Sequence, residues 1–294
     1  MARPRTVTIA AANIKVHPHP PGIYPRLLKD AFALKRPIQC RGDQHLVMRP
    51  FHDAGDGVLV GSVARFTEID PELAWFNSET LDVADEENVK SIKIPEGMHP
   101  NYVPVFFAFF EKSHLFVFET KGKDVSISPN MVEKFLKGLF GQPEIVKVYG
   151  QVDVTIVADV NKLDQILGSQ AIRKLTIKIR RPNPDTLNVH RDKVMKRLGA
   201  NNAIAFEQTL IPPMSEALTP DDETKLLARV ALTDGEVTAI VGDGDGGRVV
   251  PRSTAAHPLV EPHAYDPDAL TEQQGFLRGA RGLVEKIGRY LAAT

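Results

Sequence analysis

The sequence has little of several features that mark common functional classes. Cys40 is its one cysteine in 294 residues, which excludes an internal disulfide and a zinc site built from several thiolates. Its 36 basic and 37 acidic residues give a formal net charge of -1, so no overall field attracts nucleic acid or an acidic membrane. No apolar run approaches the roughly 20 residues that span a bilayer, and the apolar stretch near the N-terminus is too short for a signal peptide. We therefore expect a cytoplasmic protein that does not enter a membrane.

An apolar unit in residues 101–140 organises the predicted core. Two apolar runs of strand length, 103–110 and 115–118, are separated by a polar turn, which predicts a buried β-hairpin. Ser128 and Pro129 then occupy the N-cap and first position of a predicted helix, and Gly141 its C-cap. This unit is suited to core formation and shows no catalytic pattern.

The order of the predicted elements indicates an α+β protein with two antiparallel sheets, each covered by helices, and permits ferredoxin-like halves. We place a first domain at residues 1–142, with the core hairpin and helix, and a second at 143–262, with strands at 145–158 and 172–179. Residues 251–268 are rich in proline and histidine, which predicts a linker, and the last segment, 263–294, is assigned to linker and C-terminal amphipathic helix.

The C-terminal helix has apolar residues at heptad spacing, which predicts docking on the body of the protein or on a partner. Its stripe consists of Leu270, Leu277, Ala280, Val284, Ile287 and Leu291. A protein partner or a second copy could therefore bind through residues 269–294.

Residues 171–199 concentrate positive charge. They hold nine lysines and arginines against two aspartates, a local balance of +7, on a predicted strand and the helix after it. The predicted nucleic-acid-binding residues are Lys174, Lys178, Arg180, Arg181, Arg191, Lys193, Lys196 and Arg197. A row of cations on a sheet face with a basic helix beside it suits a phosphate backbone. The alternative is an exposed strand whose lysines prevent edge pairing, next to an ordinary charged helix face.

A weaker set of candidates suggests catalysis. Arg41, Asp43 and His45 alternate along one face of a predicted strand, and Glu68 and Asp70 begin an acidic segment. Such residues could serve acid–base or magnesium-dependent nuclease chemistry. Magnesium is expected only in that case, and otherwise no cofactor is predicted. His17 and His19 have no third ligand nearby in the sequence, so no metal site is predicted from them.

The acidic segment 68–96 has nine carboxylates against two lysines, a balance of -7, and contains the single tryptophan, Trp75. Its simplest interpretation is a surface connection anchored by Trp75 and Phe76. A second interpretation is that it lies against the basic region, either within the fold or in a partner subunit.

Several phrases together resemble the bacterial domain-of-unknown-function family 4747: RGDQHLV, VARFTEIDPELAWFN, IKIPEGMHPNYVPVFFAFF, ISPNMVEKFLKGLF, LTIKIRRPNPD and PDDETKLLARVAL. The resemblance covers residues 5–262 and leaves the C-terminal helix outside. It implies a bacterial cytoplasmic protein of unsettled activity, encoded among phage-defence or mobile-element genes, and it assigns no catalytic residue.

From the basic region and this resemblance we expect RNA or DNA backbone recognition within a phage-defence or mobile-element module. The alternatives are a nuclease that uses the N-terminal polar strand face, and a non-enzymatic interaction subunit or homo-oligomer assembled through the C-terminal helix. Whether the chain is an enzyme stays open.

Overall fold

The structure, a computed structural model, describes residues 3–70, 73–182, 189–214, 216–242 and 249–292. In chain order the elements are β1 (Arg5–Val16), α1 (Ile23–Ala33), β2 (Ile38–Arg41), β3 (Gln44–Asp53), β4 (Val58–Thr67), β5 (Phe76–Asn77), β6 (Asp82–Val83), α2 (Glu86–Ser91), β7 (Val103–Phe110), β8 (Leu115–Lys121), α3 (Pro129–Phe140), α4 (Pro143–Tyr149), β9 (Val152–Ile156), α5 (Val160–Leu167), β10 (Ile172–Arg180), α6 (Val189–Ala200), β11 (Ala205–Leu210), α7 (Asp222–Asp234), β12 (Gly235–Gly242), β13 (Val249–Ser253), β14 (Val260–Tyr265) and α8 (Glu272–Ala292).

A large antiparallel sheet of eight strands forms the body of the molecule. Its order is β14-β1-β8-β7-β4-β3-β2, and β9 pairs with the second half of β1 on the same side as β14. β1 is paired along both of its edges, by β8 on one side and by β14 and β9 on the other, and both of its faces are covered. Alternate residues of β1 therefore enter two different cores, which explains why nearly the whole strand is apolar and buried.

The first core lies between the large sheet and α1, α3 and α4. Ala10, Ala12 and Ile14 of β1 point into it, together with phenylalanines from β7, β8 and α3. The predicted hairpin is confirmed as β7 and β8, which pair in antiparallel register. The predicted helix start is also confirmed, because the Ser128 hydroxyl accepts a hydrogen bond of 3.3 Å from the Met131 amide.

The second core lies on the other face, where α8 covers β1, β14 and β8. Its most buried residues on the helix are Phe276, Ala280, Leu283 and Ile287. The centre of the apolar stripe is thus displaced from the predicted one, and Leu277 and Val284 lie at its side. The prediction that the helix docks is confirmed for docking on the body of its own chain. Its most apolar face is consequently not available to a partner.

A smaller antiparallel sheet follows the order β11-β10-β12-β13. One face is buried under α5, α6 and α7, and the other carries the polar residues of β10. The described residues also form a two-stranded sheet of β5 and β6, so the prediction of two sheets was too simple. Ferredoxin-like halves, which contain two split βαβ units, are not confirmed. In the smaller sheet β11, α7 and β12 form such a unit around β10, but β10 and β11 are adjacent antiparallel strands joined by α6.

Two predicted segments differ from the structure. Residues 145–158 do not form one strand, because Pro143 begins helix α4 and only Val152–Ile156 is extended. Residues 251–268 are not a linker, because they include the end of β13 and the whole of β14, which pairs with β1.

The predicted domain limits near residues 142 and 262 stay predictions. Both β9 and the C-terminal part of β14 lie beyond one of these limits and complete the sheet around β1. No helix in the described part of the chain is long and apolar enough to cross a membrane.

Candidate binding surfaces

The predicted basic residues of β10 lie on the open face of the smaller sheet. Leu175, Ile177 and Ile179 are buried, as the alternation predicted, while Lys174 and Lys178 are exposed and Arg180 is half-buried on the opposite side. The strand is not an edge, since β11 and β12 pair with it on either side. Its lysines therefore do not serve to block edge pairing.

The predicted basic residues of α6 lie on the other side of the same sheet. Val194 and Leu198 hold this helix in the core beneath the sheet. Lys193 and Lys196 are consequently exposed on the helix-covered side. The Arg197 guanidinium lies 4.2 Å from the ring centroid of Phe206, on β11. The cations of the basic region thus do not form one continuous surface.

Arg191 is not a surface residue, which corrects its assignment as a nucleic-acid ligand. It is only 2% exposed, and its Nη2 donates to the Asp234 carboxylate at 2.7 Å. Lys15 of β1, fully buried, approaches the other oxygen of Asp234 at 3.4 Å, and Asn13 donates to that same oxygen at 3.2 Å. This buried polar cluster joins the large sheet to α6 and α7. Its two cations and one carboxylate lock the two layers together.

The pKa values in this cluster follow from burial and charge. Burial lowers the pKa of Lys15, and the Asp234 carboxylate opposes this effect. For Asp234, burial alone would raise the pKa, but Arg191 and Lys15 hold it below its ordinary value. Asp234 is therefore the anion that both buried cations require.

Carboxylates accompany most cations of the open face. Lys178 stands directly opposite Glu207 on β11 and Glu236 on β12, close enough for cross-strand ion pairing. Arg180 Nη1 lies 2.9 Å from Asp153 Oδ1 on β9. On α6, Lys196 pairs with Asp192 at 2.6 Å. Glu207, Glu236 and Asp153, which come from other elements, therefore offset part of the +7 balance, in which Asp192 is already counted.

A cleft of about 170 Å³ lies where α3 of the large layer meets the open face of the smaller sheet. Lys178, Arg180 and Lys137 line it together with Glu133 and Glu236. Lys137 is already paired with Glu133 at 2.7 Å. Three cations at one cleft can receive an anion, although each has an acidic neighbour.

Arg181 lies at the end of β10 and is half-buried. Its backbone amide donates to the carbonyl of Ile204 at 3.1 Å, and its own carbonyl lies 3.4 Å from His17 Nε2. Its position therefore links β10 to the segment before β11.

The N-terminal catalytic candidates are only partly brought together. His45 Nε2 lies 3.0 Å from the Glu68 carboxylate, and its Nδ1 lies 3.0 Å from the Asp43 carbonyl. Arg41, Asp43 and Asp70 are exposed at this corner of the large sheet. Across the described ranges, no three His, Cys, Asp or Glu side chains are grouped so that they could hold a metal ion. The arrangement is one His–Glu pair at a sheet corner and does not supply carboxylates clustered for magnesium.

Cys40 is buried, and burial raises the pKa of its thiol to about 11. It therefore stays protonated near neutral pH and is a poor nucleophile.

The segment between β4 and β7, residues 68–102, which we call the arm, is strongly exposed at its described residues, 68–70 and 73–102. Its ends are held at the large sheet, where the Thr67 amide donates to the Pro100 carbonyl at 3.0 Å and the Glu68 amide to the Asp43 carbonyl at 2.9 Å. Among its described residues none is buried. The expectation that Phe76 anchors the segment is wrong, since this residue is 68% exposed.

Large apolar side chains of the arm face solvent. Those at least 64% exposed are Leu73, Phe76, Leu81, Val83 and Met98. Trp75 is half-buried against the arm itself, where it lines a groove of about 460 Å³ with Leu73, Val89 and Ile92. Sequence reasoning treated Trp75 and Phe76 as anchors and did not single out Leu73, Leu81, Val83 and Met98. The available signal was a set of large apolar residues without strand or helix periodicity inside an acidic segment.

Comparison with known proteins gave one family match. The family model described as Domain of unknown function (DUF4747) matches residues 5–281. This match extends into α8, beyond the limit at residue 262 expected from the sequence. Among curated proteins no match was found.

Proposed function

Since the chain belongs to the family described as Domain of unknown function (DUF4747), whose description assigns no activity, we propose its function from the structure. The protein is a non-enzymatic binding protein that holds a basic, partly apolar protein surface against its arm. The observation that carries this proposal is the exposure of large apolar residues on one acidic segment. Exposed apolar patches with a polar rim are typical of interaction sites.

The size of the arm elements supports the same conclusion. β5 and β6 have two residues each, and α2 has six, none of them buried. Such a short hairpin and helix are marginal in water without a surface to pack against. A partner that covers Phe76 and Val83, a pair of opposed residues in the hairpin, would supply that surface.

The charge of the arm indicates the chemistry of the partner. Nine carboxylates and two lysines lie between residues 68 and 102. An acidic partner would be repelled, while a basic one would be attracted over roughly a Debye length, about 8 Å at physiological salt. Apolar residues on the same partner would then pack into the groove beside Trp75.

Trp75 makes the proposal directly testable because it is the only tryptophan and lies in the arm. We would titrate the full chain with a helical peptide of leucine and lysine and follow the tryptophan emission. A blue shift that saturates is expected, and a leucine–glutamate peptide of equal length should produce none. Changing Phe76→Ser with Val83→Ser should weaken the response about tenfold or more. An unchanged emission with the basic peptide refutes the proposal.

A second candidate function, nucleic-acid binding, is favoured by the cleft that brings Lys137, Lys178 and Arg180 together. A phosphate group in the cleft would compete with Glu133 and Asp153 for the cations that line it. Binding of nucleic acid should therefore be weak and salt-sensitive. The test is a salt titration with single-stranded RNA and with duplex DNA. Lys178→Glu with Arg180→Glu should abolish binding, while Lys193→Glu with Lys196→Glu, on the other side of the sheet, should leave the cleft unaffected. Equal loss in both double variants would exclude the cleft as the binding site.

A further inference from the structure

The edge strand of the smaller sheet, β11, is uncovered. In the described part of the chain, β11 pairs with β10 on one side, and no strand pairs with its outer edge. Large apolar residues at both ends of the strand are exposed: Ile204 at 66%, Ile211 at 69% and Met214 fully. An edge with free backbone groups and exposed apolar ends is a site where another chain can dock.

Cations from both faces of the smaller sheet border this edge. Lys174 and Lys178 lie on the open face beside it, and Arg197 lies on the helix-covered face, over Phe206 of β11 itself. Arg181 is fixed next to Ile204 by its backbone hydrogen bond. Four of the basic residues therefore flank one strand, and Glu207 is the acid on that strand.

We propose that the arm of one copy of this protein docks on the β11 edge of a second copy. This inference rests on the proposed function and names its partner. Both surfaces combine exposed apolar residues with charge, and the charges have opposite sign. The arm sequence has a balance of -7, while Lys174, Lys178 and Arg197 lie beside the β11 edge with Glu207 as the acid on that strand. Each surface thus offers what the other requires.

The contact is not made within one chain. The arm leaves the large sheet between β4 and β7, and its apolar residues, like Ile204 and Ile211, are exposed in the single chain. Because two different surfaces meet, the contact is heterologous. One copy of the pair keeps a free edge, and the other keeps a free arm. Such contacts close into a ring or continue as a filament.

Complementation between two defective variants tests this arrangement. The arm variant has Phe76→Ser, Glu86→Lys and Glu87→Lys, and the edge variant has Lys174→Glu and Ile211→Ser; all five positions are exposed. The wild-type mass, measured by sedimentation velocity, should rise with concentration, and each variant alone should associate at least tenfold more weakly. A mixture should form a one-to-one dimer that does not grow, since one intact arm meets one intact edge.

Control variants carry the same kind of charge change elsewhere. Glu285→Lys on α8 and Lys29→Glu on α1 alter exposed residues outside both surfaces and should associate like the wild type. A wild-type chain that stays monomeric while its Trp75 still responds to the basic peptide overturns the inference and leaves the proposed function standing. Wild-type association with a mixture that stays monomeric also overturns it, because the two surfaces then do not meet. Circular dichroism of each variant verifies that it is folded.

Discussion

The Glu119 carboxyl group tests how α8 is held on the large sheet. Glu119 lies on β8 opposite Ile9 of β1 and is fully buried. Neither of its oxygens makes a hydrogen bond of normal geometry to a described residue. Burial raises its pKa to about 7; the backbone of Phe106 lowers it somewhat, and the Glu272 carboxylate at the start of α8 raises it. The folded protein therefore favours the protonated acid.

The effect on stability has a definite sign. Between the ordinary pKa of 4.5 and about 7, the folded state binds this proton while the unfolded state releases it. The free energy of unfolding consequently falls as pH rises through that window, and the loss is complete above pH 7. The size of the shift corresponds to a loss on the order of 3 kcal/mol. At pH 8 the buried carboxylate should weaken the packing of α8 and β8.

The substitution Glu119→Gln keeps the shape and removes the charge. Its buried amide costs a similar amount at every pH, so the difference between two pH values isolates the carboxylate. We would measure urea unfolding by far-ultraviolet circular dichroism near pH 8 and near pH 4.5. Relative to the wild type, the variant should gain on the order of 3 kcal/mol between these conditions. Glu285→Gln, on the exposed side of α8, should show no such gain. If wild type and Glu119→Gln share one pH dependence, Glu119 is not a buried titrating acid.

Two further predictions concern packing and the buried polar cluster. Gly279→Ala would place a Cβ 2.9 Å from the side chain of His263 and should destabilise the protein by about 1–3 kcal/mol. Gly282→Ala, where the same helix faces open space, should stabilise the protein by about 1 kcal/mol. Equal effects of the two substitutions in urea unfolding would contradict close packing of α8 on β14. Asp234→Ala removes the carboxylate that both buried cations contact and should cost about 3–5 kcal/mol. Lys15→Met removes one cation and keeps the Arg191–Asp234 pair, so it should cost less, and the opposite order in the same assay would disprove the charge argument.

Much of the fold was predictable where neighbouring residues determine it. The alternation of β10 and the cap at Ser128 are local patterns, and both are correct. Helix α4 was missed because IVKVY has strand-forming residues. Its start at Pro143 and the burial of Ile145 and Tyr149, four residues apart, outweigh that propensity. β14 has no comparable signal, because its partner β1 lies some 250 residues away in the chain.

The candidate surfaces were less predictable because charge counting ignores direction. A strand and a following helix can carry cations to opposite sides of a sheet, as Lys178 and Lys193 show. Counting also treats Arg191 as exposed, although Asp234 holds it in the interior. The acids that neighbour the open face come from β9, β11 and β12, and no sequence window contains them together with β10.

The overall neutrality of the chain conceals local regions of opposite charge. The arm has a balance of -7, whereas Lys174 and Lys178 are exposed beside β11, so the two surfaces of the proposed contact have opposite charge within a total of -1. A surface with charge of one sign throughout would make copies of the chain repel one another. Surfaces of opposite charge on one chain instead favour association of the acidic surface of one copy with the basic surface of another. Exposed Phe76 and Ile211 add an apolar contribution that salt does not screen. Association through these surfaces should therefore weaken with salt yet persist in part at high ionic strength. Binding of nucleic acid in the cleft should be lost almost entirely under the same conditions.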